Sequence, residues 1–71
     1  MIEMIAVESS NVESVGHDGE VLRVQFKRGA PYDYRPITPD EFQKILVSSS
    51  PGAMVIAIKG RAGITCIKVT S

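Results

Sequence analysis

Apolar and polar residues alternate most cleanly over residues 22–27, where Leu22, Val24 and Phe26 fall on one side and Arg23, Gln25 and Lys27 on the other. A period of two is the signature of a half-buried β-strand. Tyr32-Asp33-Tyr34-Arg35 repeats the pattern and predicts a second strand, ended by Pro36, which has no N–H to give to a ladder. Arg28-Gly29-Ala30-Pro31 turns the chain between them. Upstream, residues 2–8 alternate less regularly around Ile5 and Val7, predicting a strand that runs into a turn at Ser9-Ser10-Asn11. Val12 and Val15 read as apolar positions in a short connecting piece. Gly16-His17-Asp18-Gly19 reads as a turn, because Asp-Gly accepts the positive φ angles of a tight hairpin.

The pattern then changes period. Thr38 is a fitting N-cap, Pro39 suits the first helical position, and Glu41 completes a capping box. Ile37 before the cap and Phe42 after it form a hydrophobic staple, and Phe42, Ile45 and Leu46 share a helix face that must pack on the sheet. Ser48-Ser49-Ser50-Pro51-Gly52 ends this helix. Residues 53–58, Ala-Met-Val-Ile-Ala-Ile, are ambiguous: their β-branched content favours a buried strand, and their length does not decide between strand and helix. After a turn at Gly60-Arg61-Ala62-Gly63, residues 64–70 predict a closing strand with Ile67 and Val69 on alternate positions. The layout is a three-stranded meander, one main helix, an ambiguous segment and a C-terminal strand. That is an α+β domain over residues 1–71, with a small antiparallel sheet covered on one face.

A chain of 71 residues has room for one core, and at this size only about 60% of the unfolded surface is buried, so modest stability is expected. The longest apolar run, residues 53–58, is far short of the roughly 20 needed to span a bilayer, so a membrane is not an expected partner. The N-terminal residues carry no basic segment before their apolar positions and do not read as a signal peptide. The single cysteine, Cys66, excludes an internal disulfide and fits a reducing cytoplasm. A net charge of zero conceals a segregation. Glu3, Glu8, Glu13, Asp18 and Glu20 crowd the first twenty positions without a Lys or Arg, whereas residues 21–71 hold eight basic and three acidic side chains. Such a chain either presents a basic face to an anionic partner or pairs its acidic strand with a basic neighbour, the arrangement sheets favour.

No catalytic or metal-binding constellation emerges. His17 and Asp18 are adjacent, and Ser9, Ser10 and Ser14 lie nearby, but a triad needs a base oriented by a buried carboxylate beside an exposed nucleophile. One His and one Cys, about fifty residues apart, do not make a zinc site. Gly60-Arg61-Ala62-Gly63 lacks the frame of a phosphate loop. The expectation is a non-enzymatic binding module without cofactor. Tyr32 and Tyr34 are its most distinctive feature. On a strand they share a face roughly 7 Å apart, near the spacing of a stacking platform for bases. Asp33 and Arg35 then face the other way, and Lys27 and Arg28 lie just upstream. Lys59, Arg61 and Lys68 either extend a basic strip with Arg23, Lys27 and Arg28 or, as is usual for charge clusters, form a solvated surface. The alternative for the tyrosines is packing, in the core or at the sheet edge.

Val7-Glu8-Ser9-Ser10-Asn11-Val12, then Val15-Gly16-His17-Asp18, then Leu22, Val24 and Phe26 before Gly29, Tyr32 and Tyr34, then a capped helix and Ser50-Pro51-Gly52, resembles the KTSC domain family. The family takes its name from a small domain at the C-terminus of some lysyl-tRNA synthetases and also occurs as free-standing bacterial and phage proteins. The resemblance covers residues 7–59, with the Tyr-x-Tyr as its most specific element. It implies a domain of this size for which RNA binding has been suggested, Tyr32 and Tyr34 as the residues to bet on, and a short second helix over Gly52–Lys59. Two departures remove rings: His17 stands where the family has Tyr, and Met54-Val55 where it has an aromatic pair. The expected function is RNA or nucleic-acid binding through Tyr32, Tyr34, Lys27, Arg28, Arg35, Lys59 and Arg61. The alternative is docking on a host or partner protein through an exposed sheet edge.

Overall fold

The computed structural model describes residues 2–69 and contains five strands and two helices. The strands are β1 (Ile5–Ala6), β2 (Val12–Asp18), β3 (Val21–Phe26), β4 (Tyr32–Arg35) and β5 (Thr65–Lys68); the helices are α1 (Pro39–Val47) and α2 (Pro51–Lys59). The strands lie in the sheet in chain order, each antiparallel to its neighbour. Between β4 and β5 the chain leaves the sheet, lays both helices across one face and returns to pair β5 with β4.

β4 and α1 form where the sequence places them, and β3 forms one residue earlier than the alternation over 22–27, with Lys27 outside it. Leu22 and Val24 are fully buried, and Arg23 on the opposite face meets Asp33 across the ladder. At α1 the Thr38 side chain accepts from the Glu41 backbone N–H, while the Glu41 carboxylate accepts from the Thr38 N–H at 3.0 Å. This satisfies donors that a helix start otherwise leaves open. Phe42 and Ile45 are the buried residues of α1, with Leu46 half-buried beside them. Ile37, also fully buried, ties the helix start to the β2–β3 hairpin by donating from its N–H to the Glu20 carbonyl at 2.7 Å.

The largest correction concerns residues 12–18. They are no connecting piece and turn but the longest strand of the sheet, with Val12 and Val15 at zero exposure. A register shift between Val12 and Ser14 explains why alternation fails there. The bulge inserts one residue, so Val12 and Val15, three apart, both face the core. The hairpin turn comes later, at Gly19-Glu20 between the paired Asp18 and Val21. Gly19 has φ 63°, as expected where glycine takes the first central position of a type II′ turn.

Three other boundaries move. The first strand is two residues long rather than seven. Ser48 to Ser50 end α1, but Pro51 and Gly52 already belong to α2. Residues 53–58 are helical, as the family resemblance implies and against their β-branched composition. Val55 and Ile58, three apart, are buried on one side of α2 while Ile56 is 57% exposed. Gly52 is a point of close approach: a methyl group there would meet Ser9 Oγ at 2.5 Å and Asn11 Oδ1 at 2.6 Å. The Ser9-Ser10-Asn11 turn and the start of α2 therefore sit against each other. The closing strand keeps only residues 65–68 and is exposed throughout; of the expected span, Thr70 lies outside the described residues.

Candidate functional site

The face of the sheet that carries Leu22, Val24, Tyr32 and Tyr34 is roofed by α1 and α2 over its middle. Toward the β3–β4 hairpin tip the cover ends, leaving an open groove of 460 Å³ lined by Asn11, Phe26, Arg28, Tyr32, Tyr34, Lys59 and Cys66. Each element contributes for a local reason. Phe26 and Tyr32 point to this side because strand residues alternate faces, and their rings meet edge to face with centroids 6.0 Å apart. Both rings are half-buried. Arg28 is delivered by the tip of the hairpin. There Gly29 adopts φ 104°, and the Gln25 side-chain amide donates to the Phe26 carbonyl at 2.9 Å and to the Gly29 carbonyl at 3.3 Å. Lys59 is the last residue of α2, and Asn11 closes the turn before β2.

A second hollow of 330 Å³ adjoins the first. Ser10, Asn11, Phe26, Lys27 and Arg28 line it, so the two share Asn11, Phe26 and Arg28. Neither lining contains an acidic side chain. Lys68 stands opposite Tyr32 in the β4–β5 ladder and adds a further cation on the same face. Asn11 is oriented by the Ser9 hydroxyl, which donates to Asn11 Oδ1 at 2.8 Å, so the group it offers to a neighbour is its amide N–H donor pair.

Tyr34 does not serve as a platform. It is 1% exposed, the largest fully buried side chain among the described residues, and forms the groove's floor two residues along β4 from Tyr32. Burial pushes its phenol up to about 12, with the Cys66 thiol contributing beside it. Of the seven residues expected at the site, Arg28, Tyr32, Tyr34 and Lys59 line the groove, and Lys27 lines the adjoining hollow. Arg35 is exposed on the opposite face of the sheet, one residue along from Tyr34. Arg61 is engaged in an ion pair with Glu41 in the cleft between the helices, where it helps hold the Glu41 carboxyl below its ordinary range; the Thr38 N–H is the larger influence. Phe26, Asn11 and Cys66 complete the lining. The alternation of β3 was enough to find Phe26, but only the tertiary fold brings Asn11 and Cys66 to it.

The acidic N-terminal segment does not neutralise this region. β2 lies beside β3, yet Arg23 pairs with Asp33 on the other neighbouring strand at 2.8 and 3.1 Å, and the ion pairs among the described residues are Arg23–Asp33 and Arg61–Glu41. His17 lies on β2 rather than in a turn. Its ring stacks on Phe42 with centroids 5.2 Å apart, and its Nε2 is 2.6 Å from the Ile37 carbonyl oxygen. The ring is a packing and tethering group. Asp18, the next strand residue, faces the other way and cannot orient it. Among the described residues, no cluster of His, Cys, Asp and Glu has the arrangement of a metal site, and no helix is long and apolar enough to cross a membrane.

Comparison with known proteins places this architecture. The KTSC domain model matches residues 8–55. An uncharacterised protein of Stutzerimonas stutzeri is 36% identical over 53 residues, covering 72% of this chain and 75% of the relative. A protein of Tsukamurella paurometabola is 37% identical over 57 residues, covering 78% and 85%. The crystal structure of a KTSC domain protein from Yersinia pestis superposes with a TM-score of 0.85 over 99% of this chain and all of the other, at 22% identity, which speaks for a shared fold. The match over residues 8–55 takes in β2, β3, β4, α1 and the start of α2, the elements that build the groove's floor and hairpin wall, and this chain belongs to the KTSC domain family.

Proposed function

We propose that this chain is a non-catalytic, cytoplasmic nucleic-acid-binding module, with RNA as its ligand. The observation that supports the reading is the convergence of Arg28 and Lys59 on the Phe26–Tyr32 ring pair in a groove without acidic lining. Cations there neutralise phosphates, and rings offer base-sized apolar surface. The revision from sequence is that Tyr32, with Phe26, supplies the ring surface, while Tyr34 holds the floor in place. Fluorescence anisotropy of a labelled single-stranded RNA of mixed sequence, titrated at increasing salt, tests it. With two or three phosphates engaged, log K should fall with log salt at a slope of roughly −1.4 to −2.1. Absence of binding at low salt sinks this reading. A second one, docking of a partner protein by strand addition, is favoured by the outer edge of β5, whose four residues are all exposed and pair on one side alone.

A further inference from the structure

We infer that the groove and its adjoining hollow form a two-step track for an unpaired strand, seating successive nucleotides on either side of Phe26 and rejecting a duplex. The inference rests on the nucleic-acid reading above and specifies the form of the ligand. The two hollows are not separate sites: Asn11, Phe26 and Arg28 line both, so a chain leaving one enters the other without crossing a ridge of acidic residues. Each hollow has its own second cation, Lys59 in the larger and Lys27 in the smaller, with Arg28 between them. Positive groups in succession along one path suit a phosphate backbone with a charge at every nucleotide.

The rings decide between paired and unpaired ligands. Phe26 and Tyr32 are half-buried in a recess bounded by the hairpin tip on one side and the end of α2 on the other. In an edge-to-face pair, one ring uses only its edge, so its faces stay available to another flat group. Bases inside an A-form duplex are already stacked and cannot enter such a recess, whereas unpaired bases can be splayed onto aromatic side chains. Duplex binders work by shape over about 16 base pairs, whereas this domain measures 26 × 24 × 23 Å and the cations that line the two hollows are three, Lys27, Arg28 and Lys59. Arg28, Lys27, Lys59 and the Asn11 amide are all donors, so the track is built to receive acceptor-rich phosphate and base edges.

The test compares labelled dodecauridylate with a 16-base-pair RNA duplex, using the wild type, Tyr32→Ala and Tyr32→Leu. The leucine variant keeps apolar bulk against Phe26, so it remains folded if alanine does not; far-UV circular dichroism verifies both. The single strand should bind at least tenfold more tightly than the duplex. Loss of the ring should weaken single-strand binding by about 5- to 150-fold, the range of one base–aromatic stack. Lys27→Gln and Lys59→Gln should each flatten the single-strand salt slope by roughly 0.7. Equal binding of duplex and single strand, or single-strand binding indifferent to Tyr32→Leu, overturns the track and leaves the nucleic-acid reading standing. Failure of both RNAs to bind overturns the two together.

Discussion

Replacing Tyr34 by alanine empties the centre of the β3–β4–β5 ladder, where its ring lies between Leu22 and Cys66 in register and is 1% exposed. A buried aromatic ring removes about 150–200 Å² from water, which at 25 cal/mol per Å² amounts to about 4–5 kcal/mol. Measured aromatic-to-alanine cavities fall at about 3–5 kcal/mol. A domain of this length commands about 4–10 kcal/mol in all, so Tyr34→Ala should forfeit about half of that or more. Tyr32→Ala removes a half-buried ring and should cost about half as much, and Tyr34→Phe, which keeps the packing, about 1 kcal/mol. With a urea slope near 1 kcal/mol per molar for a small protein, the midpoint should drop by about 3–5 M for Tyr34→Ala and about 2 M for Tyr32→Ala. Far-UV circular dichroism in a urea titration reads this directly. Coincident midpoints for the two alanine variants, or a larger loss at Tyr32, would refute the assignment of one tyrosine to the floor and the other to the recess.

Gly52→Ala sets two effects against each other. Helix propensity favours alanine by at most about 1 kcal/mol, the figure for a helix interior, and Gly52 lies in the first turn of α2; the added methyl would press on Ser9 Oγ and Asn11 Oδ1, and overpacking costs about 1–3 kcal/mol. Net destabilisation in thermal melts is expected, and a raised melting temperature would show that the turn yields freely. Glu41 has a carboxyl pKa lowered first by the Thr38 N–H and then by Arg61. Its contribution is therefore present above the ordinary carboxylate range and lost as pH falls through the depressed folded value. The stability gap between wild type and Glu41→Gln should narrow on acidification. A gap constant from pH 7 to pH 2 would contradict the assignment.

What the sequence discloses here follows from how local each signal is. α1 is announced by residues within one turn of each other, Thr38, Pro39 and Glu41, and β3 by six residues in strict alternation; both form, β3 one residue earlier than its alternation. β2 escaped because a bulge changes the phase of its apolar positions between Val12 and Ser14, and because Gly16 and His17 imitate a turn. Gly16 is instead covered on the sheet's outer face, where a Cβ would meet the Glu3 carbonyl at 2.6 Å. Residues 53–58 carry no decisive period, since α2 is apolar nearly all round, and the family pattern rather than the residues pointed to a helix. At the site, alternation put both tyrosines on one face correctly. Which of them lies under the helices depends on where the α1–α2 cover stops, a property of the assembled fold. The same holds for Arg61, whose partner Glu41 is twenty residues away.

The hairpin tip has a wider consequence. The ladder between β3 and β4 is already closed at Val24 and Tyr32; Lys27 still donates to the Asn11 carbonyl and the Pro31 carbonyl accepts from Val69, so residues 28–30 alone hang beyond, their course fixed by Gly29 and the Gln25 amide. A tip of different length or charge can thus be exchanged without touching the hydrophobic interior. Surface chemistry at the tip is modular: evolution, or a designer grafting loops, can rewrite its charge while the scaffold beneath keeps its thermodynamics.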